Sequence, residues 1–68
     1  MINDKTNNNN VSNEMIEVYN DNKGNSFEFY QDGDKWVGYG NKFSFERNSY
    51  DEGVEQLTKW GYYKVGVE

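Results

Sequence analysis

The stretch SFEFYQDGDKW, Ser26 to Trp36, sets three carboxylates, Glu28, Asp32 and Asp34, within seven residues and between aromatic side chains. Carboxylates this close could ligate a hard cation, work as an acid–base pair, or offer negative charge to a partner. A calcium loop of the EF-hand type needs oxygen ligands at its first, third and fifth positions, glycine at the sixth and glutamate at the twelfth. With Gly33 at the sixth, Glu28 and Asp32 fall at the first and fifth, but Tyr30 takes the third and Tyr39 the twelfth. Alignment on Gly24 fails as well, because Tyr19 occupies the first position. The calcium motif is absent.

Catalysis is no better served. The chain has neither histidine nor cysteine, which removes Ser–His and Cys–His nucleophile pairs and the usual zinc ligands. A glycosidase-like carboxylate pair requires a cleft, and a chain of 68 residues rarely has room for one. The glycines near Gly38, Gly40 and Gly61 do not form a phosphate loop. The expectation is a protein that is not an enzyme and uses no cofactor and no metal.

What remains is charge and aromatic surface. Twelve acidic residues stand against 7 basic ones, for a net charge of −5, and 18% of the residues are aromatic. Aromatic sheets can stack single-stranded bases, but such surfaces also carry cations for the phosphates. The acidic balance argues against direct nucleic-acid binding and for a basic partner. No apolar run is long enough for a signal peptide or a membrane span, so a cytoplasmic setting without membrane contact is expected.

The elements that must position these residues follow from periodicity. Residues 1–13, with the run Asn7–Asn10, read as a disordered polar leader, and residues 14–68 as one small domain. From Glu14 the pattern alternates with period two through EMIEVYN, SFEFYQ, KWVGYG and KFSFER, broken by DNKGN, DGD and Gly40-Asn41. Asp32-Gly33-Asp34 between alternating strands is a hairpin signal, which gives two of the three carboxylates a purely structural reading. At Ser49 the period becomes helical: Ser49 and Glu52 form a capping box, and Tyr50, Val54, Leu57 and Trp60 recur on one face. Gly53 weakens that helix unless it lets the helix approach the sheet, and Gly61 stops it. YYKVGV closes the chain as a strand with Tyr63, Val65 and Val67 aligned. The order β-β-β-β-α-β makes an α+β domain, an antiparallel sheet of four to five strands with one helix on one face.

Turning Phe27, Phe29, Phe43 and Phe45 toward the helix leaves Met15, Glu17, Tyr19, Glu28, Tyr30, Val37, Tyr39, Ser44 and Glu46 on the opposite face. Met15, Tyr19, Tyr30, Val37 and Tyr39 are then the candidate interface of a homodimer, which would add the burial that a domain this small lacks. The candidate acidic partner-binding surface combines Glu17, Asp21, Glu28, Asp32, Asp34 and Glu46 with the helix acids Asp51, Glu52 and Glu55.

In size, charge and absence of histidine and cysteine, NSFEFYQDGDKWVGYGNKFSFE followed by the acidic helix SYDEGVEQ resembles the small early proteins of lytic bacteriophages. Several acidic members of that class mimic DNA. The resemblance implies host takeover by an acidic inhibitor, acting in the host cytoplasm or nucleoid, and the sheet face adds the expectation that it is a homodimer. Its target would be a basic host DNA-binding protein, with a histone-like chromosomal protein as the best single target. The alternative is an interaction module that blocks a host enzyme through its aromatic sheet face.

Overall fold

The computed structural model describes residues 15–68, so the leader assigned to residues 1–13 lies outside the described residues. Five strands and one helix follow in the order β1 (Glu17–Asn20), β2 (Ser26–Asp32), β3 (Lys35–Gly40), β4 (Ser44–Arg47), α1 (Tyr50–Lys59) and β5 (Tyr63–Val67). The sheet is antiparallel throughout, with spatial order β4-β3-β2-β1-β5. The first four strands are a meander. The helix then carries the chain from the β4 edge to the far edge, where β5 pairs with β1. This is the expected α+β architecture, with all five strands in one sheet.

Local chemistry sets the turns. Asp32 pairs with Lys35, and Gly33 between them takes a left-handed φ of 66°, which a side chain would resist. In the β1–β2 turn the Asp21 carboxylate accepts from the Lys23 and Asn25 backbone N–H groups at 2.8 and 2.9 Å. The Ser49 hydroxyl accepts from the Glu52 N–H at 3.2 Å. Glu52 returns to the N–H of Asn48, one residue earlier than a capping box predicts.

The core consists of aromatic rings on the helix side of the sheet. Phe27, Phe29 and Leu57 are fully buried, each stabilising the fold by about 1.5–3 kcal/mol. Phe27 gathers Phe43, Phe45, Trp60 and Tyr62 around the C-terminal half of α1, and Phe29 gathers Tyr19, Trp36 and Tyr50 around its start. Gly53 sits directly over Phe29, and a β-carbon there would run into the ring. The glycine is what lets the helix lie this close to the sheet.

Two expectations about faces are corrected. The β1–β2 register pairs Glu17 with Phe29 and Tyr19 with Phe27, so Glu17 and Tyr19 lie on the helix side and are buried. The intervening turn, locked by Asp21, decides this, because a slip of one residue would exchange the two faces of β1. In β5, Lys64 pairs with Tyr19 and Gly66 with Val18, which leaves Val65 as an extra residue at a bulge. Tyr63, Val65 and Val67 therefore do not share one face.

Candidate functional site

The fold sorts the predicted acidic surface into parts. Lys35, at the β2–β3 hairpin, donates to Asn48 Oδ1 at 2.7 Å, and Asn48 in turn donates its backbone N–H to Glu52. Trp36 meets Tyr50 at 5.0 Å between ring centroids. These contacts hold the hairpin tip beside the start of α1, so Asp32, Asp34, Asp51 and Glu52 share one end of the molecule. Asp21 belongs to the opposite end, where Ser26 donates to Asn41 Oδ1. Its carboxylate is engaged in its own turn, and the Asn25 side chain that donates to it at 2.9 Å holds its acid below the usual carboxylate range. Glu55 lies on the outer face of α1, 3.9 Å from Lys59, an exposed pair worth little.

Glu17 is not part of an exposed surface at all. It is only 8% exposed and accepts hydrogen bonds from the Tyr19 hydroxyl at 3.1 Å and the Tyr50 hydroxyl at 3.0 Å. Lys64 brings its ammonium to 3.5 Å. Burial, reinforced by the Glu17 charge, pushes the Tyr19 phenol far above its ordinary value. Burial and the bond to Glu17 raise Tyr50 in the same direction. Both phenols therefore stay protonated as donors, and the carboxylate ties β1, β5 and the first turn of α1 together. Sequence reasoning missed this cluster. The available signal was Lys64, the one cation in the otherwise apolar strand YYKVGV.

The open face of the sheet is the second feature. The registers place Val18, Glu28, Tyr39 and Ser44 in one cross-strand row, and Tyr30, Val37 and Glu46 in the next. Asp32 and Lys35 continue this face to the acidic end. Tyr39 is 61% exposed and Glu46 is exposed, while Glu28, Tyr30 and Val37 are half-buried among their neighbours. Of the residues expected on a dimer interface, Tyr30, Val37 and Tyr39 share this face. Tyr19, 4% exposed, faces the helix, and Met15 is exposed just before β1.

Neither sheet edge is a bare template for another strand. On β4, Arg47 Nη1 donates to the Glu46 carbonyl at 2.7 Å, Nη2 donates to Gln56, and the guanidinium lies over the Phe45 ring. On β5 the bulge breaks the regular spacing of backbone groups. A shallow groove beside α1 is lined by Arg47, Glu52, Glu55, Gln56 and Lys59, a mixed-charge lining unlike the apolar wall of a small-molecule pocket. No group of three metal-ligating side chains occurs among the described residues. What the arrangement offers chemically is a carboxylate-rich end running into a face of tyrosine, valine and glutamate that no described element covers. Comparison with protein families, with curated proteins and with solved structures finds no match to this chain.

Proposed function

We propose that this protein is a non-enzymatic acidic inhibitor that mimics DNA and occupies the nucleic-acid-binding surface of a basic host protein. A histone-like chromosomal protein is the best single target, and the host cytoplasm or nucleoid is the setting. The supporting observation is placement: the hairpin tip and the helix start share one end with Asp32, Asp34, Asp51 and Glu52, and Glu46 and then Glu28 follow in the next two rows of the open face. Among the described residues, the ion pairs engage Glu17 and Glu55, and Glu52 accepts from the Asn48 backbone N–H, while Asp32, Asp34 and Asp51 add to the negative field that attracts a cationic partner. No described helix is long and apolar enough to cross a membrane. With Tyr19 turned to the core, the homodimer reading keeps only part of its patch, and the proposal takes the monomer as the binding unit.

A competition assay tests this. Added to a complex of DNA with a purified histone-like chromosomal protein, the inhibitor releases the DNA in a dose-dependent way. DNA that stays bound at saturating inhibitor refutes mimicry. A second reading, a module that blocks a host enzyme through its sheet face, is favoured by the exposed Tyr39 and the half-buried Tyr30 beside it on that face. Under it, substitution of these tyrosines costs more affinity than charge reversal at Asp51, Glu52 and Glu55.

A further inference from the structure

We infer that the open sheet face, and not the outer face of the helix, grips the partner once the acidic end has attracted it, and that this face recognises arginine side chains. This rests on the reading of the chain as a binder of basic proteins. The face alternates rings with carboxylates: Glu28 lies directly opposite Tyr39 and two residues from Tyr30, and Val37 lies opposite both Tyr30 and Glu46. A guanidinium is planar, stacks on a tyrosine ring and forms two parallel hydrogen bonds to a carboxylate. Glu28 is half-buried in this patch, and neither of its cross-strand neighbours, Val18 and Tyr39, is a cation. A partner that supplies the positive charge completes the patch. The same guanidinium groups would otherwise hold phosphate, so their capture blocks nucleic-acid binding.

A second copy of the chain fits the face less well. Stacking two such faces would bury Glu28 and Glu46 of both copies against a surface that supplies little positive charge in return. Strand addition at the edges meets Arg47 on β4 and the bulge on β5. The outer face of the helix mixes its acids with Lys59, which already stands beside Glu55.

The test is titration of the isotopically labelled full chain with an oligo-arginine peptide and, separately, an oligo-lysine peptide of equal length, read by amide chemical shifts. The expected result is that oligo-arginine binds about threefold tighter, as stacking on an exposed ring predicts. Its shifts concentrate at Val18, Glu28, Tyr30, Val37, Tyr39 and Glu46. Tyr39→Ser and Glu28→Gln each weaken binding by about threefold. Tyr39 is largely exposed and Glu28→Gln keeps its shape, so both variants retain the fold. Equal affinity for the two peptides, with shifts centred on Asp51, Glu52 and Glu55, overturns the sheet-face inference and leaves the acidic-inhibitor reading standing. Absence of saturable binding to either peptide overturns both. Self-association that covers this face, seen by sedimentation, overturns the choice of occupant.

Discussion

Replacing Glu17 by glutamine isolates the role of the buried carboxylate. In the native fold two phenols donate to a charged oxygen, Tyr19 at 3.1 Å and Tyr50 at 3.0 Å. A hydrogen bond to a charged group contributes about 1.5–3 kcal/mol against about 1 for a neutral one, so the substitution weakens two bonds by about 1 kcal/mol each. The new amide also turns a donor toward Lys64, which stands at 3.5 Å from the carboxylate. Relief from burying a charge offsets part of the loss, and Lys64, nearly half exposed, regains water. The net cost is about 2 kcal/mol, or a fall in Tm of about 10 °C for a domain this small. Glu17→Leu goes further, because it takes the charged acceptor away from both phenols at once. Thermal and urea unfolding of both variants, with Glu28→Gln on the opposite sheet face as a control, provide the assay. A Glu17→Gln protein within about 0.5 kcal/mol of the parent, or a Glu17→Leu protein more stable than Glu17→Gln, refutes the reasoning.

The remaining predictions concern packing and pH. Gly53→Ala gains about 1 kcal/mol of helix propensity but forces a β-carbon into the fully buried Phe29 ring, at a cost of about 1–3 kcal/mol. A net destabilisation is expected in urea unfolding, and a stabilised variant would show that the helix shifts freely. Tyr19, Tyr50 and Tyr62 hold their protons more tightly when folded, above all because of burial. Stability from these phenols is fully present below their ordinary value near pH 10 and is lost as pH rises through the folded values. Tm should therefore fall above about pH 10, with tyrosinate absorbance from these groups appearing together with unfolding. Ionisation of all six tyrosines before any loss of structure would contradict this.

Much of the fold was legible because each element carries its own signal. Period-two alternation, Asp32-Gly33-Asp34 and the Ser49 cap placed the strands, the hairpin and the helix start. Gly53, as an anomaly in a helix, correctly announced close approach to the sheet. Face assignment in β1 was not legible. Alternation says that Ile16 and Val18 oppose Glu17 and Tyr19, but hydrophobicity alone favours burying the wrong pair. The acceptable burial of Glu17 depends on Tyr50 and Lys64, far along the chain, and on a turn whose length sets the register. The β5 bulge was hidden for the same reason, because it is a property of the β1–β5 pairing. For the candidate site, composition indicated acidity and aromatic surface. Only the topology could separate the acidic end from Asp21 at the other end and remove Glu17 and Tyr19 from the exposed set.

Electrostatic capture of a basic protein, attracted by the carboxylates of the hairpin tip and helix start and gripped by the open face, is the central claim. Its most direct test is the affinity for a purified histone-like chromosomal protein, measured by calorimetry between about 50 and about 300 mM salt. The account predicts a steep loss of affinity as salt rises, and a clearly shallower dependence when Glu28 and Glu46 are both changed to glutamine. Affinity that barely changes across this range, or a slope untouched by the double substitution, would contradict it.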